Sequence, residues 1–146
     1  ARFDGRYVHL SDVEAAAQAI GVDRVAARFP DGLAHVVREG GAGLSAGERQ
    51  LISIARALLA NPRILILDEA TSNIDRPSEV LIEQAFDTLL RGRTSVIIAH
   101  RLATVRRADE IVVLERGRIV ERGTEAELLA RDGAFRRLAQ TLHGPA

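Results

Sequence analysis

The sequence predicts an α/β protein in two regions: helices up to about residue 61, then parallel strands alternating with helices over residues 62–146. Three observations lead there. The apolar run Ile64-Leu65-Ile66-Leu67 is too short for a buried helix and the right length for a strand. A second such run, Thr94-Ser95-Val96-Ile97-Ile98-Ala99, comes after a segment that reads as helix. Helix starts and stops between them can be read from capping residues and prolines.

The elements follow in order. Ser11-Asp12-Val13-Glu14 has capping-box spacing and opens an alanine-rich helix that Gly21 can end. A short helix covers residues 23–28, Pro30-Asp31-Gly32 marks a turn, and the helical texture continues to residue 39. Ser45-Ala46-Gly47-Glu48 is another capping box. Its helix stops near Asn61-Pro62, because the residue before a proline is pushed out of the α region. The strand 64–68 comes next. Asp75 as N-cap and Pro77 in the first turn start a helix to about Leu90. The strand 94–99 and a short helix near 102–107 follow. Ile111–Glu115 and Arg118–Glu121 read as a hairpin across Arg116-Gly117, and Thr124 with Glu127 caps a last helical region reaching Leu142. Strands between helices in this way read as buried on both faces.

Composition narrows the function classes. Twenty acidic residues balance 20 basic ones, all of them arginine, so no general basic field argues for nucleic acid. Without cysteine there are no disulfides or thiolate metal sites, which fits a reducing compartment. No apolar run reaches the roughly 20 residues of a membrane helix, and no signal peptide is visible. A chain of 146 residues can bury a core, and it is expected to be soluble by itself.

The residues that carry chemistry sit at element ends. Asp68 and Glu69 close a strand at its carboxyl end, where open α/β sheets bind ligands. Neighbouring strand residues point to opposite sides. One acid can therefore hold a metal while the other orients or deprotonates a water, as phosphoanhydride hydrolysis requires. Taken alone, the segment reads equally well as a strand ending in a solvated acidic turn. Ser45 is a good N-cap, and a helix N-terminus with Gly47 beside it is a natural anion site. Plain capping is the commoner use of such a pattern. Asp75 fits an N-cap. A lone histidine at a strand end, as His100 is, is more often structural. His9, His35 and His143 match no pattern.

In this order and spacing, Leu44 to Glu48, Ile64 to Glu69, Ser72-Asn73-Ile74-Asp75 and Ile98-Ala99-His100-Arg101-Leu102 resemble the ATP-binding-cassette (ABC) ATPase family from about residue 12 onward. The resemblance implies a P-loop NTPase-like parallel sheet with a helical subdomain. Residues 1–61 would be the helical subdomain with the signature motif, and residues 62–146 the Walker B and switch-histidine part of the core. Glu69 would be the catalytic carboxylate and His100 the switch histidine. Asp68 would hold Mg²⁺, through water. Leu44, Ser45, Ala46, Gly47 and Glu48 would form the signature motif, with Ser45 and Gly47 touching ATP on a second nucleotide-binding domain in a head-to-tail dimer. Ser72 and Asp75 would be its D-loop, acting across the dimer interface.

Two signature positions depart from the family's usual residues: Ala46 replaces glycine and Glu48 replaces glutamine. The capping spacing leads us to expect the Glu48 carboxylate on the Ser45 N–H, turned away from a phosphate. The chain contains neither the Gly-x-x-x-x-Gly-Lys-[Ser/Thr] pattern nor any lysine, so the P-loop half is expected to be missing. Such a piece is expected neither to bind ATP tightly nor to hydrolyse it. It is also expected to expose apolar surface on the strands Ile64–Leu67 and Val96–Ala99, whose usual cover is partly absent, and so to self-associate or pack differently.

Ile54-Ala55-Arg56-Ala57-Leu58-Leu59 and Val120-Glu121-Arg122-Gly123-Thr124 resemble multidrug- and lipid-exporter ATPases. In exporters, Glu39 would touch the transmembrane domain. The resemblance thus implies the ATPase engine of an exporter, at the cytoplasmic face of a membrane. A non-transport ABC ATPase of DNA repair or translation, or a binding module with a decayed site, are the alternatives.

Overall fold

The computed structural model describes residues 2–3, 6–68, 76–99 and 102–142. A short antiparallel pair, β1 (Arg2–Phe3) and β2 (Arg6–Tyr7), comes first; nothing in the sequence pattern announced it. Helix α1 (Leu10–Ile20) starts earlier than Ser11 would allow as a cap. His9 is the N-cap, because Asp12 is the acid that reaches back: its Oδ2 accepts the His9 N–H at 3.2 Å. Gly21 ends the helix as expected, at φ 84°.

Helix α2 spans Val22–Ala26. Beyond it the expected helical texture fails. Gly32 has φ 55°, and only 3-10 turns form, at Gly32–Ala34 and Glu39–Gly41. Helix α3 (Ala46–Ala60) has Ser45 as N-cap and ends at Asn61 in the left-handed region. Strand β3 (Ile64–Asp68), helix α4 (Arg76–Leu90) and strand β4 (Thr94–Ile98) follow. Then come α5 (Leu102–Val105), β5 (Ile111–Glu115), β6 (Arg118–Gly123), α6 (Glu125–Ala130) and α7 (Ala134–Leu142).

The chain forms two compact units. The first runs to Ile66 and takes in α4 and β4 as far as Val96; the second takes in Leu67, Asp68 and the described residues from Ile97 on. In the first unit α1, α3 and α4 pack against one another, with α2 against α1 and α3. Its core is made of the helical stripes Ala16-Ala17-Ile20, Leu51-Ile54-Ala55 and Ile82-Ala85-Leu89. In the second unit Val113 of β5 meets Leu128 of α6 and Ala134, Phe135 and Ala139 of α7. Its hairpin turns through Arg116 (φ 49°) and Gly117 (φ 76°), the two positive φ values of a type I′ turn.

Among the described residues the strands form three two-stranded sheets, β1–β2, β3–β4 and β5–β6, rather than one longer sheet. β5 and β6, joined by two residues, run antiparallel. β3 and β4 are joined through a helix, the connection a parallel pair requires. Both leave apolar side chains exposed, as expected of strands whose cover is partly absent. Leu65 is buried, but Ile66 is 75% exposed and Val96 57%. The alternation along β3 is that of a strand with one covered face.

Candidate functional site

The site begins in a glycine loop. Gly40 and Gly41 adopt φ 69° and 75°, and the Leu44 N–H closes the turn onto the Gly41 carbonyl at 3.0 Å. Leu44 is buried, which anchors the loop to the first unit's core. Arg49 folds back from the second turn of α3, and its Nη1 donates to the Leu44 carbonyl at 2.6 Å. That fold leaves no room at Gly41: an added Cβ would lie 2.5 Å from Arg49 Cδ.

At the start of α3 the capping box is closed in both directions. Ser45 Oγ accepts the Glu48 N–H at 3.2 Å, and Glu48 Oε2 accepts the Ser45 N–H at 2.8 Å. The carboxylate is thus turned back onto the cap, as the spacing led us to expect. Its other oxygen, Oε1, lies 2.6 Å from Arg28 Nη1. The Glu48 side chain is only 13% exposed, against 56% for Arg28. A carboxylate so far withdrawn from water needs both partners. Sequence reasoning missed Arg28, because its partner lies on another helix and no local spacing marks the pair.

Along this turn Ser45 and Ala46 are exposed, Gly47 is buried and Glu48 is mostly covered. What the turn offers to a ligand is therefore the Ser45 side chain, the Ala46 methyl and the positive end of a helix of 15 residues. Beside it lies a cavity of about 540 Å³ lined by Phe29, Asp31, His35, Val36, Arg38, Ala42 and Gly43. His35 stacks on Phe29, with ring centroids 4.0 Å apart. Glu39 is exposed at the start of the second 3-10 turn.

Asp68 ends β3 and is exposed, on the same face of the strand as Ile64 and Ile66. A single hard oxygen donor at a strand end suits magnesium, which keeps several of its waters. Among the described residues no group of three or more His, Asp or Glu side chains is placed to hold a metal ion. Glu69, Ser72, Asp75 and His100 lie outside the described residues. Asp68 belongs to the second unit and the Ser45–Glu48 turn to the first.

Comparison with known proteins gives this geometry its context. The sequence model of the ABC transporter family matches residues 8–72, a span that holds both the glycine loop and the end of β3. An uncharacterized ABC transporter ATP-binding protein of Bacillus subtilis is 52% identical over 135 residues, 92% of this chain and 22% of that protein. The chain belongs to the ABC transporter family. A probable multidrug resistance ABC transporter ATP-binding/permease protein of the same organism is 46% identical over 133 residues, 91% of this chain and 20% of its own. An ATP-dependent lipid A-core flippase of Pseudomonas fluorescens is 52% identical over 137 residues, 92% of this chain and 23% of its own. The chain therefore spans about a fifth of the length of these curated relatives. Among the described residues no helix is long and apolar enough to cross a membrane.

Proposed function

We propose that this chain is the signature, Walker B and switch-histidine part of an ATPase that powers an ABC exporter from the cytoplasmic face of a membrane. The observation that carries the reading is the closed Ser45–Glu48 cap. It leaves Ser45 exposed at a helix N-terminus, while Asp68 ends a strand, in a chain about half identical to ABC transporter ATP-binding proteins. The names of the relatives support export: one is a multidrug resistance protein and another a lipid A-core flippase.

In this reading Ser45 and the first turn of α3 bind the terminal phosphate of ATP held by a second nucleotide-binding domain. Asp68 holds Mg²⁺ through water. The ion, when bound, neutralises charge developing on the phosphate oxygens. Glu69 accepts a proton from the attacking water, and His100 supports the terminal phosphate. Ser72 and Asp75 act across the dimer interface, and Glu39 meets the transmembrane domain.

The intact protein tests this. Glu69→Gln should abolish ATP hydrolysis, read as phosphate release, while leaving ATP binding in place. A variant that keeps most of its turnover would show that Glu69 is not the catalytic carboxylate. The 146-residue chain by itself, which has no lysine to reach a β- or γ-phosphate, should show no micromolar binding of Mg-ATP by calorimetry. Micromolar binding would overturn that part.

A further inference from the structure

Glu48 sets an electrostatic problem that Arg28 solves. A helix N-terminus attracts anions through its exposed N–H groups and its dipole. A glutamate in the first turn opposes a phosphate there unless its charge is turned away and compensated. The carboxylate is held at two points: Oε2 on the Ser45 N–H at 2.8 Å and Oε1 on Arg28 Nη1 at 2.6 Å. Arg28 is itself braced, its guanidinium 5.7 Å from the centre of the Phe29 ring, which in turn stacks on His35. The contact ties the residues just past α2 to the start of α3 and leaves Glu48 mostly covered.

We propose that Arg28 is a positioning residue for the signature turn: it pins and neutralises the Glu48 carboxylate, so that the N-terminus of α3 meets a nucleotide's terminal phosphate without a facing negative charge. The proposal rests on the reading of Ser45–Glu48 as the signature motif. Arg28 touches no nucleotide and acts only through Glu48. Without it, Oε1 loses its cation, and the uncompensated charge acts on any phosphate bound at Ser45. Its effect depends on the charge at position 48, which a packing role would not.

The test is a double-substitution cycle in the intact protein, in an E69Q background that retains bound ATP. The readout is the Mg-ATP concentration that gives half-maximal retention. R28Q should raise it by roughly threefold or more at low salt, and the deficit should shrink as ionic strength rises. In an E48Q background the same R28Q substitution should change it by less than about twofold, because no charge is left to compensate. A deficit that persists undiminished in the E48Q background, or its absence in the E69Q background, overturns the proposal and leaves the functional reading standing. If the E69Q protein retains no ATP at all, the functional reading fails and the proposal falls with it. Should R28Q not fold, R28M, which keeps an apolar stem and removes the charge, takes its place with the same two expectations and the same overturning results.

Discussion

The molecule builds two helix starts with the same chemistry and sets them in different surroundings. At α3, Ser45 and Glu48 exchange hydrogen bonds of 3.2 and 2.8 Å; at α6, Thr124 and Glu127 exchange bonds of 3.4 and 2.9 Å. Locally the two boxes are interchangeable. They differ in what lies outside the turn. Glu127 is in solvent, and its carboxyl is held below the ordinary 4.5 first by the Thr124 N–H and then by the Thr124 side chain. Glu48 is mostly covered and carries a second partner, Arg28, from beyond another helix. The α6 box follows directly from a strand, whereas the α3 box follows a glycine loop strapped by Arg49. A capping box is thus a statement about a helix end. Whether that end is also a site depends on what the rest of the fold holds in place around it.

The largest expected effect separates the two caps by function. In the intact protein Ser45→Ala should cut ATP turnover by roughly tenfold or more, the scale of losing one preorganised donor to a developing charge. Thr124→Ala should leave turnover within about twofold. Equal losses in phosphate release at the two sites would erase the distinction. Next come the glycines. Gly41→Ala should destabilise by about 2 kcal/mol: roughly 1 for the positive φ and about 1 more for displacing Arg49 from the Leu44 carbonyl. Gly117→Ala, at almost the same φ but with nothing within 4 Å, should lose only the first of these, about 1 kcal/mol. Urea midpoints that fall equally would show that the Arg49 strap contributes nothing.

On stability the caps should agree even though they part on turnover. Ser45→Ala and Thr124→Ala should each cost about 1 kcal/mol in thermal or urea unfolding. A much larger loss at Ser45 would mean that the Arg28 contact collapses with the cap. The smallest effect is in acid. A carboxyl whose folded value lies below its unfolded one contributes stability that is present above the unfolded value, here 4.5, and lost as pH falls through the folded value. The Thr124 amide resonance should therefore follow Glu127 with a midpoint below 4.5. A midpoint at or above that value would contradict the hydrogen bond.

Much of this protein was legible because its signals act within a few residues. Ser45-x-x-Glu48 and Thr124-x-x-Glu127 mark helix starts through bonds that span three positions. Gly21 ends α1, Asn61 ends α3, and Arg116-Gly117 closes a hairpin, each through its own backbone conformation. The roles proposed for Glu69, Ser72, Asp75 and His100 rest on resemblance to a family; spacing alone left Glu69, Asp75 and His100 a structural alternative. Even local reading had competitors: two acids lay within reach of the first helix start, and the chain used Asp12 on His9 rather than Glu14 on Ser11.

Tertiary structure decided what no short window contains. It laid α4 against α1 and α3 and set only Leu65 of the β3 apolar run into the core. It also brought Arg28 to a carboxylate on another helix. By itself the sequence determined where α3 and α6 start and where α1 and α3 end, because capping and backbone preference are settled among near neighbours. Which strand faces are covered, and which charges are paired across helices, depends on how separate elements pack, and only the assembled fold supplies that.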